Sequence, residues 1–224
     1  MQAGRFRNWL SLTAWTYFYV VFLYGTWIVA WLLERALGHR VGWMTTSGGQ
    51  AAYWLVMKLL LWIAPALILI RLSGRRLSEV LGLRRLRLAL MWGTGVGLCL
   101  GAVVWIQRSA AHQPLFHPVL NWPFLSGVCV APIIEEITFR GAILGNLMRR
   151  HRFAVANTVT AFLFLGSHLP GWYFQGRLFS LLTRPLGGGL SIFLLGWVFG
   201  LVAHKSKSVA GSTWTHFLNN FFNA

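Results

Sequence analysis

Four side chains on three apolar segments have types and spacings suited to hydrolysis. In Ala131-Pro132-Ile133-Ile134-Glu135-Glu136-Ile137-Thr138-Phe139-Arg140, two adjacent carboxylates sit inside a greasy run. They are half of the four acidic residues of the chain, which has no Asp. On a helix, Glu136 and Arg140 are one turn apart and share a face, so an ion pair neutralises Glu136. Glu135 lies about 100° round the helix and does not share that partner. It is free to face a cavity, where a carboxylate can act as general base on water. His168 closes a later apolar segment, just before Leu169-Pro170-Gly171. His216 and Asn220 follow in Trp214-Thr215-His216-Phe217-Leu218-Asn219-Asn220, again one turn apart. Polar groups this deep in an apolar helix need partners. Taken singly, each has a structural reading: a buried ion pair, an interfacial His, an interhelical hydrogen bond.

The elements that must position these groups are membrane helices. Of 224 residues, 56% are hydrophobic and 11% charged, with 13 Trp and 16 Phe. Several apolar runs exceed the roughly 20 residues needed to cross a bilayer. The fold class expected is all-α, a polytopic transmembrane bundle of about seven to eight helices, forming a single integral membrane domain over residues 1–224. The spans read as Trp9–Leu33, Ala51–Ile70, Leu88–Ile106, Trp122–Met148, Phe153–His168, Leu190–His204 and Val209–Phe222. At 1.5 Å per residue, Glu135, His168 and His216 come to compatible depths, about 20, 20 and 10–12 Å from one membrane face. Pro170 and Gly171 predict that the helix carrying His168 ends there. Gly93, Gly95, Gly97 and Gly101, then Gly196 and Gly200, predict close helix packing.

The net charge of +16 does not indicate nucleic acid. The cations cluster in loops: Arg5 and Arg7; Arg71, Arg75, Arg76, Arg84, Arg85 and Arg87; Arg149, Arg150 and Arg152; Lys205 and Lys207. The alternate loops carry only Arg35, Arg40, Arg108, Arg177 and Arg184. That asymmetry expects a cytoplasmic N-terminus and contacts with an anionic lipid leaflet. Lys58 and Arg140 fall within spans. Cys99 and Cys129 read as apolar packing residues, with neither metal-ligand nor disulfide spacing. His39, His112, His117, His151 and His204 read as solvated or interfacial.

The order Glu-Glu-x-x-x-Arg, Phe-x-x-x-His, His-x-x-x-Asn, one motif per apolar segment over about residues 122–224, resembles the CPBP family. This is the CAAX-protease and bacteriocin-processing (Abi) family of intramembrane endopeptidases, which includes the type II CAAX prenyl endopeptidases. The resemblance implies hydrolysis of a peptide bond in a membrane-associated protein or peptide. It implies that Glu135 activates water with help from His168, that His216 and Asn220 stabilise the oxyanion, and that Glu136 and Arg140 support the geometry. Phe164 matches a motif position and is expected to pack beside the site. It also implies a bacterial or archaeal cell membrane. Leu169, where the prenyl-processing members usually carry a small residue, departs from the pattern and argues against a prenylated substrate. A glutamic mechanism without a cofactor is expected. A zinc-type alternative would use Glu135, His168 and His216 as ligands with an open position, although no His-Glu-x-x-His motif is present. Two other functions fit the same residues: a non-catalytic immunity or scaffold protein binding a peptide in the cavity, and a proton-coupled transporter. Against the transporter, no repeat halves are visible.

Overall fold

A computed structural model describes residues 2–114 and 119–224, with side chains from residue 12 onward. His117 lies outside the described residues. The described chain is helical throughout, without strands. In order it forms α1 (Gln2–Leu37), α2 (Ser47–Leu72), the short α3 (Leu77–Leu81) and α4 (Leu86–Ala110). A long helix α5 over 122–147 follows, then α6 (Phe153–Gly166), α7 (Leu169–Phe174), α8 (Leu178–Leu182), α9 (Gly189–Ser206) and α10 (Val209–Asn223). Five helical stretches among the described residues are long and apolar enough to cross a membrane: Leu12–Leu37, Ser47–Leu72, Leu77–Ala110, Phe153–Phe174 and Gly189–Ser206. The two other long helices, α5 and α10, are those that carry the acidic pair and His216. Their polar residues dilute the apolar signal, and α10 has only 15 residues.

Two of these helices are widened where the sequence places proline. The stretch Leu59–Ile63 in α2 and the stretch Leu125–Val130 in α5 are π-helical, and each runs into an Ala-Pro pair, Ala64-Pro65 and Ala131-Pro132. Proline brings no N–H and its ring crowds the preceding turn, so the ladder shifts to wider bonds: Ala64 N–H reaches Leu59 O, and Ala131 N–H reaches Ser126 O. A third π-helical run covers Ile137–Leu144. There the Arg75 guanidinium donates from outside to the Gly141 carbonyl at 2.9 Å and to Asn146 Oδ1 at 2.6 Å, and a side chain entering the ladder is a known cause of such distortion. Burial and the neighbouring Arg149 push the Arg75 pKa down to about 10, which leaves it charged at neutral pH. Glu135 and Glu136 thus sit on a short α-helical stretch, Ala131–Glu136, between two widened runs.

Helix α6 ends at Gly166, beside His168, in line with the expectation from Pro170 and Gly171, but the chain stays helical beyond it. The chain makes one turn at Ser167 and His168, and α7 resumes with Pro170 in its first turn. A first-turn proline leaves no helical bond unmade, so it restarts a helix rather than stopping one.

Glycine stripes set the closest packing. A Cβ on Gly93 would meet Gly211 O at 2.8 Å, one on Gly97 would meet Leu218 Cδ1 at 2.5 Å, and one on Gly101 would meet Phe222 Cδ2 at 2.5 Å. These glycines, spaced four apart on α4, form a trough that receives α10. Gly95, on another face, meets nothing. Between α6 and α9, Gly200 lies against the Asn157 amide, and Gly196 against Phe164 and Ala161. The core centres on Trp62, Phe139, Phe164, Phe199, Ile70 and Ile143, all nearly inaccessible. Phe18, Val21, Leu60, Ile68, Met91 and Phe162 face outward, the inversion a lipid environment favours.

Candidate active site

Helix α1 braces the site by aromatic groups bonding main-chain oxygens. Tyr19 Oη donates to Trp62 O at 2.9 Å, Trp27 Nε1 donates to Ser167 O at 3.1 Å, and Tyr24 Oη donates to Leu163 O. The last two fix the end of α6, where His168 emerges.

The acidic pair divides as its spacing predicts. Glu136 is fully buried, and its Oε1 accepts from Arg140 Nη1 at 2.9 Å. Arg140 also donates through Nη2 to Gly196 O at 2.6 Å, and its guanidinium lies over the Phe164 ring at 4.6 Å and the Phe199 ring at 5.5 Å. A buried guanidinium is held this way only when its charge and its planar face are both satisfied. Glu136 Oε1 also receives His216 Nδ1 at 3.0 Å. The His216 ring stacks on Phe199 at 4.4 Å and meets Phe164 edge-on at 5.9 Å. Because a carboxylate only accepts, His216 Nδ1 carries the proton.

Glu135 points elsewhere. Its Oε1 accepts from Lys58 Nζ at 2.8 Å, and its Oε2 lies 4.0 Å from His216 Nε2. It lines a cavity of about 210 Å³ with Lys58, His168, Trp27, Trp62 and Trp172. His168 Nδ1 donates to Phe164 O at 2.9 Å, one turn back on its own helix. A carbonyl only accepts, so this bond places the proton on Nδ1 and leaves the Nε2 lone pair free. Phe164, buried at the centre, packs against His168, His216, Phe139 and Arg140, as expected for that position.

Glu135, His168 and His216 are therefore brought together, with Glu136, Arg140 and Phe164 behind them. Asn220 is placed differently. Its amide donates to Gly127 O at 2.9 Å, and it lines a separate groove with Asn121, Pro123 and Phe124. The buried Asn219 donates to Asn220 Oδ1 at 3.1 Å. Among the described residues, no group of three or more His, Cys, Asp or Glu is arranged to hold a metal ion. His39, His112, His151 and His204 are exposed, and His204 stacks on Phe153. Cys99 and Cys129 are unpaired.

Sequence reasoning missed Lys58 as a member of the site. The signal was present: a lysine inside an apolar span has to find a partner, and Glu135 and Glu136 are acids in the middle of an apolar run, whereas Glu34 lies near the end of α1. The Trp residues of α1 and α2 also escaped notice, since aromatics on membrane helices carry no positional code.

No curated protein and no solved structure matches the chain. A protein-family model does, over residues 117–222, the stretch holding every motif named above except Lys58. That model is described as type II CAAX prenyl endopeptidase Rce1-like, and it is what the site-bearing part of the chain is similar to.

Proposed function

We propose that the protein is an intramembrane endopeptidase of glutamic type, which cleaves a peptide bond in a membrane-associated protein or peptide. The family match implies a protease. The observation that carries the finer reading is that Glu135 and His168 face one cavity, each with a free basic atom. Lys58 occupies Glu135 Oε1, leaving Oε2 to take a proton. A water held between Oε2 and His168 Nε2 gives that proton to Glu135 as its oxygen adds to the scissile carbonyl carbon. The proton then passes to the departing amine, the C–N bond breaks, and the carboxylate is restored. His216 and Asn220 are the groups we assign to the oxyanion, as in the resembled family. His216 donates from Nε2 only as an imidazolium, because its Nδ1 proton is committed to Glu136, and Asn220 joins it when its amide leaves Gly127.

A divalent ion does not suit this donor set. The Lys58 ammonium already stands 2.8 Å from Glu135, and a second, doubly charged cation there would be repelled. Cleavage by purified protein is therefore expected to survive EDTA and 1,10-phenanthroline unchanged. Loss of activity with chelator, restored by zinc, would replace the glutamic mechanism with a metal-dependent one.

Glu135→Ala and His168→Ala are each expected to abolish cleavage while leaving a monodisperse, folded protein, since an acid or base group contributes about 10²–10⁴-fold. Comparative membrane proteomics of cells carrying wild type or Glu135→Ala identifies the substrate as a precursor that accumulates only in the variant. Full cleavage by either variant would remove the protease assignment. The Leu169 position argues for a substrate other than a prenylated one, and the accumulating precursor's chemistry decides it.

A further inference from the structure

The basic turn before α4 and the turn between α9 and α10 enclose a cavity of about 480 Å³, lined by Arg76, Ser78, Glu79, Arg84, Arg85 and Lys207. Four cations face one carboxylate. Glu79 Oε2 is used by the Arg76 backbone N–H at 3.3 Å. Among the described residues, none of the four cationic side chains takes part in an ion pair. The walls are fixed to each other rather than merely adjacent. Ser208 Oγ donates to Leu81 O at 2.6 Å. Gly82 has φ +66°, and its missing side chain makes room for Ser208 Cβ and Lys207 O, which a Cβ would meet at 2.6 and 2.8 Å.

An apolar groove of about 410 Å³ adjoins this cavity. Neighbouring residues line the two: Leu81 the groove and Gly82 the cavity, Leu86 the groove and Arg85 the cavity. The groove continues past Leu90, Ile133, Trp214 and Phe217. Its hydroxyl and indole N–H groups are already paired. Thr213 Oγ1 donates to Val209 O at 2.9 Å, and Trp214 Nε1 donates to Thr94 Oγ1 at 2.9 Å. A positive mouth leading into an apolar slot has the polarity of one ligand class.

We propose that this is a binding site for a single anionic phospholipid, with the phosphate among Arg84, Arg85 and Lys207 and an acyl chain along the groove between α4 and α10. The choline group of a neutral phospholipid would add a cation to an uncompensated cationic mouth, whereas a glycerol headgroup would not. The site clamps the start of α10, the helix that carries His216, to the turn that opens α4. Its occupancy therefore bears on how α10 sits, independently of which reaction the protein performs.

The test uses full-length protein in phosphatidylcholine nanodiscs containing a minor fraction of phosphatidylglycerol, with retained lipid counted by native mass spectrometry. Wild type is expected to retain one phosphatidylglycerol in preference to phosphatidylcholine. Each cation near a lipid surface is worth about fivefold in binding, so Arg84→Gln/Arg85→Gln/Lys207→Gln is expected to weaken retention by more than tenfold. Ala210→Trp, which fills the groove and leaves the cations, is expected to weaken it comparably. If the triple variant does not fold, Lys207→Gln and Ala210→Trp carry the comparison. Equal retention of both lipids, or retention unchanged in these variants, overturns the proposal. Inorganic phosphate titrated into protein in phosphatidylcholine alone separates the other source: binding that survives Ala210→Trp, without any preference for phosphatidylglycerol, would make this a soluble phosphate site instead.

Discussion

Lys58 is the residue on which the electrostatics of the cavity turn. Its ammonium pairs with Glu135 at 2.8 Å and lies 5.3 Å from the Trp62 ring centre. Breaking a buried pair by removing one partner leaves an uncompensated charge and costs about 3–5 kcal/mol, whereas removing both together is often close to neutral. Lys58→Met is therefore expected to lower thermal stability markedly and to impair cleavage. Lys58→Met with Glu135→Gln is expected to recover the stability but not the activity. Thermal unfolding of the four proteins in one detergent reads the comparison, and additive losses in the double variant would mean the pair is not coupled. The Glu136–Arg140 bond was legible from spacing alone, because one helical turn fixes it. Lys58 was not, because its partner is 77 residues away and only the packing of α2 on α5 joins them. His168 lay between: its place was visible, but its tautomer depends on the Phe164 carbonyl.

Among the elements, α10 depends most on backbone proximity. It carries His216, and it lies against α4 only because Gly93, Gly97 and Gly101 present no side chain there. Gly97→Leu is expected to drive the two helices apart, displace His216 from Glu136, and abolish cleavage with loss of stability. Gly95→Leu, two residues away and facing open space, is expected to change little. Equal behaviour of the two variants, by size-exclusion profile and cleavage rate, would show that the trough does not position α10. The glycines were readable as a packing signal, yet their spacing does not name the partner helix. The helix boundaries read from the sequence fall close to those observed, since apolar length is the strongest signal in such a chain. The π-helical runs were not readable: proline marks where a ladder is disturbed, not whether it breaks, kinks or widens. The same ambiguity explains why α7 resumes after His168.

At the scale of the molecule, five apolar helices and the family match make this an integral membrane protein. We propose that its N-terminus is cytoplasmic, on the distribution of loop cations, in a bacterial or archaeal cell membrane. On that proposal, and with α5 and α10 also crossing, the C-terminal end of α10 lies outside. Alkaline phosphatase fused after Ala224 is then expected to be active and a fluorescent protein fused there dark; the reverse pattern would invert the orientation. The aromatic wall of the cavity has a consequence of a different kind, in how the protein interacts with light. Trp27, Trp31, Trp54 and Trp62 form one continuous array, with Trp31 and Trp54 at 4.3 Å and Trp27 and Trp62 at 4.9 Å between ring centres. Indoles this close couple their transition dipoles, and three of the four line the chamber that holds Glu135 and His168. The protein thus carries a native chromophore at the candidate site, and near-ultraviolet circular dichroism is expected to register a ligand entering the cavity without any attached label.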